Sequence, residues 1–167
     1  MTFGYIVFGI FFVTFMLIVF RGAPYVPTKQ RDIDTLLKKR RFSRGEIVVD
    51  LGSGDGRLLL AAAKHGICAV GYELNPLLAG LSWLRLYRYR HRAKVKVRDF
   101  WLSQMPPETA MVFVFLATPY MKKLDRKLTA HVTWHKKQLV LASYGMKIPG
   151  RVPDGTDGPV FFYTYKP

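Results

Sequence analysis

Residues 46–57, EIVVDLGSGDGR, constrain the fold of this chain more than any other stretch. Ile47–Leu51 is a short, mainly β-branched run of the kind that forms a buried strand, and Gly52, Gly54 and Gly56 follow it at alternate positions. Arg57–Lys64 then reads as a helix. A strand, a glycine turn and a helix in that order open a wound α/β sheet, and the rest of the chain continues the alternation. Cys68–Leu74 (CAVGYEL) reads as a second strand. Asn75 and Pro76 start a helix to about Arg90, because proline is well tolerated in a first turn. Lys94–Arg98 alternates basic residues with valine, a third strand with one wet face, and Met111–Ala117 is a wholly apolar fourth. Pro119 to about Ala130 reads as helix, and Gln138–Tyr144 and Val160–Tyr165 as two more strands, the last after a loop rich in glycine and proline. Six strands with helices between them predict a Rossmann-like, doubly wound, mostly parallel sheet over residues 46–167.

Ahead of this domain, residues 1–20 (MTFGYIVFGIFFVTFMLIVF) carry no charged side chain, and Arg21 ends the run abruptly. A helix from Phe3 to Phe20 would rise about 27 Å, close to the roughly 30 Å hydrocarbon core of a bilayer. A cleaved signal peptide would start with basic residues and end in a small-residue site, whereas here the basic residues all follow the apolar run. The expectation is a single-pass transmembrane anchor, with a buried core helix as the competing reading. Residues 21–45 form a basic connector, extended at Pro24 and Pro27, followed by a helix from a Thr28 cap to about Arg41. Its basic residues place the carboxyl-terminal domain on the cytoplasmic or matrix-equivalent side of the membrane.

The net charge of +15 admits anionic lipid, nucleic acid or an acidic protein as partner. Because much of the excess follows the apolar run, an anionic lipid surface met by residues 29–44 is the simplest expectation. The single cysteine, Cys68, excludes an internal disulfide and sits in an apolar run as a small hydrophobe.

In a wound sheet the ligand lies beyond the carboxyl ends of the strands, so the glycine turn is the first place to look for a site. A dinucleotide fingerprint needs a third glycine or alanine where this chain has Arg57, and no Lys-Ser/Thr follows to make a P-loop. Glu73, ending the second strand, is placed to accept hydrogen bonds from ribose hydroxyls. Asp99 ends the third, so three acids close three consecutive strands in a chain where acids are scarce.

The acid-x-Gly-x-Gly-x-Gly pattern of residues 50–56 resembles motif I of the seven-stranded, S-adenosylmethionine-dependent methyltransferases. With the flanking GAPYVPT and GYELNP, it resembles more closely the membrane-associated lysine methyltransferases that act on the ATP synthase c-subunit and on the adenine nucleotide translocase. The likeness is good over residues 22–99 and poor in the carboxyl-terminal third, and the short chain implies a fold truncated to about six strands. The resemblance implies S-adenosylmethionine as cofactor, held by Asp50, Gly52, Ser53, Gly54, Gly56, Glu73, Leu74, Asp99 and Phe100. Asp50 would help hold the methionine end, and Asp99 would meet the adenine amino group, with Phe100 and Trp101 against the ring. It also implies a lysine-bearing protein substrate, expected in a membrane.

Candidates near the reacting methyl group are Tyr25, Thr118 and Tyr120, each equally readable as ordinary loop packing. No dedicated base is required, because a desolvated pocket favours the neutral lysine. ATPY (117–120) faintly resembles the motif of nucleic-acid amino-methyltransferases, but Ala117 has no acceptor for the target amine. The tract RLYRYRHRAKVKVR (85–98) leaves RNA methylation open as an alternative, beside a plain solvated helix and edge strand. A non-catalytic cofactor-binding module is the third reading. His131 and His135 have i, i+4 spacing with no nearby acid or cysteine, so no metal is expected.

Overall fold

The computed structural model describes residues 4, 5, 9 and 28–167. The expected membrane span and Tyr25 therefore fall outside the described residues, apart from Gly4, Tyr5 and Gly9. Among the described residues no helix is long and apolar enough to cross a membrane. In chain order the elements are α1 (Gln30–Lys39), β1 (Ile47–Leu51), α2 (Arg57–Lys64), β2 (Cys68–Glu73) and α3 (Pro76–Leu86). A 3-10 turn at Tyr87–Tyr89, β3 (Ala93–Val97), β4 (Thr109–Val114) and α4 (Thr118–His135) follow, then β5 (Leu139–Tyr144), β6 (Gly155–Asp157) and β7 (Val160–Tyr165).

The strands form one seven-stranded sheet in the order β3-β2-β1-β4-β5-β7-β6. The first five run parallel, while β7 pairs antiparallel with both β5 and β6. The expectation of about six strands is thus corrected. β6 has only three residues, GTD, in the loop rich in glycine and proline, and carries no apolar run by which a strand is recognised. Central strands β1 and β4 are buried almost throughout, as a parallel sheet covered on both faces demands. Edge strand β3 keeps the expected wet face, with Lys94 and Lys96 exposed.

One face of the sheet is covered by α1, α2 and α3, the other by α4 and the loop before β4. The helix expected within the basic connector adds Ile33, Leu36 and Leu37 to the core, all nearly inaccessible. Burying such side chains stabilises by about 1.5–3 kcal/mol each, so α1 contributes an amount comparable to the lower end of a domain's net stability. Thr28 does not cap α1: Lys29 holds that position and no side chain caps the helix. Thr28 is buried instead, its carbonyl accepting a hydrogen bond from Arg57 Nη1 at 3.1 Å. The helix expected to reach Arg90 tightens after Leu86 into the 3-10 turn. α4 runs past Ala130 to His135 and stops at Lys136, which is left-handed at φ 52°.

Candidate active site

The order of the strands reverses between β1 and β4, and a ligand crevice lies beyond the carboxyl ends of strands at such a point. A continuous series of contacts runs along that edge. Gly52 and Ser53 donate backbone hydrogen bonds to the Tyr72 carbonyl at 2.9 and 3.1 Å, folding the glycine turn onto the end of β2. Glu73 Oε2 accepts the Gly54 N–H at 2.7 Å, and Oε1 accepts the Asn75 N–H at 2.8 Å. The Glu73 carbonyl accepts from Arg98 N–H at 3.0 Å, which leads to Asp99. Asp99 Oδ1 accepts the Trp101 N–H at 2.8 Å. Trp101 lies 4.6 Å from the ring of Phe100 and 6.4 Å from that of Tyr120. On α4, Thr118 Oγ1 donates to Met146 Sδ at 3.4 Å, closing the edge beyond β5.

Each glycine of the turn has positive φ, at 91°, 53° and 76° for Gly52, Gly54 and Gly56. That region is strained for other residues, which is why glycine stands at all three. A Cβ on Gly52 would meet no atom within 4 Å, so open space adjoins the backbone there, as a closely bound cofactor requires. A Cβ on Gly56 would collide with the Ser82 hydroxyl, so this glycine lets α3 approach the turn.

Arg57, which breaks the dinucleotide pattern, has a role of its own. Its Nε and Nη2 donate to the Asp55 carboxylate at 3.1 and 2.9 Å, and Arg85 Nη1 reaches the same group at 2.6 Å. Partial burial alone would raise Asp55, but these two guanidinium groups outweigh it and hold the carboxyl at about 2. Asp50 is the opposite case. Full burial, reinforced by the negative charges of Glu73 and Asp55, pushes its carboxyl up to about 8, so it is mostly protonated at neutral pH.

The structure thus brings Asp50, Gly52, Ser53, Gly54, Gly56, Glu73, Leu74, Asp99 and Phe100 to one edge of the sheet, with Thr118 and Tyr120 beyond β4. Sequence reasoning missed Gly71, Ser82 and Arg85. A Cβ on Gly71 would lie 2.5 Å from Ser53 Oγ and 2.6 Å from Leu59 Cδ1, so a glycine inside β2 is what lets the turn fold down on it. An isolated glycine in a strand was the available signal for that close approach. Ser82 and Arg85 act through the tertiary approach of α3, which leaves no mark in local sequence. The rings of His131 and His135 lie 4.5 Å apart between centroids at a tilt of 53°, and among the described residues no three candidate ligands gather around a metal position.

Residues 50–154 match the model of a family described as the ANTKMT methyltransferase domain. The chain belongs to this family. The match reaches Asp154, so the carboxyl-terminal third that looked unlike the family lies largely inside it. The ATP synthase c-subunit lysine N-methyltransferase of Xenopus laevis is 43% identical over 107 residues, covering 63% of this chain and 46% of the relative. The adenine nucleotide translocase lysine N-methyltransferase of Mus musculus is 40% identical over 112 residues, covering 65% of this chain and 48% of the relative. The chain spans about half the length of these curated relatives. Among solved structures, an RNA methyltransferase from Salinibacter ruber in complex with S-adenosyl-L-homocysteine superposes with a TM-score of 0.70 at 23% identity. That alignment covers 84% of this chain and 93% of the other, and it shows the shared seven-stranded methyltransferase fold.

The cofactor of this family fits the residues present. The open backbone at Gly52 leaves room for the cofactor's close approach, while the Ser53 hydroxyl turns inward onto Gly71 and Leu59. Glu73 retains a second lone pair on each oxygen after accepting its two backbone N–H groups.

Proposed function

We propose that the chain is a membrane-anchored, S-adenosylmethionine-dependent protein-lysine N-methyltransferase acting on a membrane protein. The observation that carries this reading is the tie of Glu73 to the glycine turn, in a chain whose relatives are named lysine methyltransferases. When bound, the cofactor supplies an electrophilic methyl group. Gly52 and Gly54 would admit its close approach to the backbone, Asp50 would help hold the methionine end, Glu73 would accept hydrogen bonds from the ribose hydroxyls, and Asp99 and Phe100 would take the adenine. A free lysine titrates near pH 10.4, so the site must favour its neutral form. Trp101 and Tyr120, packed near each other at the same edge, limit water there, and the Lys123 ammonium 4.3 Å from the Trp101 ring centroid adds a like charge; both effects disfavour a second ammonium. Thr118 and Tyr120 would position the amine, with Tyr25 of the connector as the further candidate.

Residues 3–20 hold the domain at the cytoplasmic or matrix-equivalent face, where tethering raises the effective concentration of membrane targets. Residues 29–44 add contact with anionic lipid. Methyl transfer from radiolabelled cofactor to a membrane extract tests the reading. Label that protease removes and nuclease does not, and that recovers as methyllysine, is the expected result. Nuclease-sensitive label would overturn it in favour of RNA methylation.

A further inference from the structure

Helix α3 does more than cover the sheet. Its inner face is buried at Ala79, Ser82 and Leu86, as packing on β2 and β3 requires. Its outer face is apolar as well. Leu77, Leu81 and Leu84 recur at i, i+4 and i+7, placing them on one stripe, and they are 64%, 56% and 77% exposed. Trp83 and Tyr87 flank the stripe at 54% and 65% exposure. Trp83 is oriented by its indole N–H, which donates to the Val95 carbonyl at 3.1 Å. Neighbouring exposed aliphatic side chains of this kind mark an interaction surface.

The charge beside the stripe says what covers it. From residue 85 to residue 98 there is no acid; exposed Arg88 and Arg90 continue directly from the stripe, whereas Lys94 and Lys96 point to the opposite face of the sheet, Lys96 Nζ lying 5.6 Å from the Tyr72 ring centroid. Arg90 lies over the Tyr87 ring at 5.0 Å, so cationic and aromatic groups adjoin. Leucines flanked by tryptophan, tyrosine and basic residues match the boundary between acyl chains and anionic headgroups. RNA would engage the cations and aromatics but gain nothing from three aliphatic side chains.

We propose that the outer face of α3 lies on an anionic bilayer, with Leu77, Leu81 and Leu84 entering the acyl boundary and Arg88 and Arg90 on the headgroups. α3 starts three residues after Glu73, so this contact brings the cofactor edge of the sheet close to the membrane surface. The lipid contact belongs to the exposed surface of the domain and depends neither on the anchor nor on lysine methylation.

The chain's three tryptophans are Trp83, Trp101 and Trp134, and residues 1–20 contain none, so tryptophan quenching reads the domain rather than the anchor. The full chain is reconstituted in vesicles of bromine-labelled phosphatidylcholine with or without phosphatidylglycerol. Quenching that is at least twofold greater with phosphatidylglycerol, and that Trp83→Phe abolishes, is expected. A second reading uses a nitroxide on Leu84→Cys in a Cys68→Ala background, compared with one on Trp134→Cys. Only the α3 probe should be more accessible to oxygen than to an aqueous nickel reagent. Equal quenching in Trp83→Phe, a water-exposed Leu84 probe, or protection of Trp83 by a short RNA in the presence of the anionic vesicles would each overturn the proposal. Cofactor affinity by calorimetry stays unchanged in these variants whichever way the lipid contact is decided.

Discussion

Asp50 should make this protein less stable as pH rises through neutrality, and Asp50→Asn should remove the effect. The carboxyl titrates at 3.8 in the absence of the fold and at about 8 when buried. Between those values the unfolded chain is ionised while the native carboxyl holds its proton, so native binds more protons and stability falls with rising pH. The contribution is fully present below pH 3.8 and is lost as pH rises through about 8. His131 works in the other direction at lower pH. Burial first, then His135 and Lys127, push it from 6.5 down to about 4, so most of its effect on stability lies below pH 6.5. The window from pH 6.5 to 8 therefore reports mainly on Asp50, and the remainder from His131 is common to both proteins. The limiting slope is about 1.4 kcal/mol per pH unit. With the native carboxyl half ionised at the upper end, the loss over the window is on the order of 1–2 kcal/mol. For a chain of this length that lowers the thermal midpoint by about 3–6 °C. Melting in detergent at pH 6.5 and 8 should show this fall in the wild type and little of it in Asp50→Asn, whose amide mimics the protonated acid. An equal fall in both proteins would refute the assignment.

Glu73→Gln places an amide N–H₂ against one of the two backbone N–H groups that the carboxylate now accepts, Gly54 or Asn75. Hydrogen bonds to a charged group contribute about 1.5–3 kcal/mol each, so at least tenfold weaker cofactor binding by calorimetry is expected. Wild-type affinity would count against the site. Gly71→Ala drives a methyl group into Ser53 and Leu59, an overpacking that costs about 1–3 kcal/mol. Urea denaturation should show that loss together with weaker cofactor binding, because the displaced atoms belong to the turn. Unchanged stability would mean that β2 and the turn are not in this close contact.

The parts of the fold legible in the sequence are those with local signatures. The β-branched run before Gly52, the glycine spacing, the acids at the ends of β2 and β3 and the apolar β4 each stand within one element, and the structure places them as expected. The role of Glu73 was legible only in part. Its position at the strand end was predictable, whereas its grip on Gly54 and Asn75 depends on the turn folding back over β2. The helix of α1 and its apolar face of Ile33, Leu36 and Leu37 were legible from spacing, whereas its docking onto α2 as part of the domain's core was not. β6 was illegible because a strand of Gly, Thr and Asp is specified by pairing with β7 and not by its own composition.

Arg57 joins these observations into one prediction. In the place where a dinucleotide site needs a small residue, its guanidinium spans the Asp55 carboxylate and the carbonyl of Thr28, just before α1. The segment leading from the amino-terminal region is thereby tied to the same turn that approaches the cofactor. Lysine can make a single contact where arginine makes a planar fork, so Arg57→Lys keeps the charge but breaks the bridge. Removing one partner of a hydrogen-bonded ion pair this near the surface should cost about 1–3 kcal/mol, less than for a fully buried pair because Arg85 still holds Asp55. Amide hydrogen exchange around residues 28–33 should then speed up in parallel with that in the turn at 52–56. Faster exchange in the turn alone would show that Arg57 serves only Asp55, and that the approach to α1 is fixed by the burial of Ile33, Leu36 and Leu37 without it.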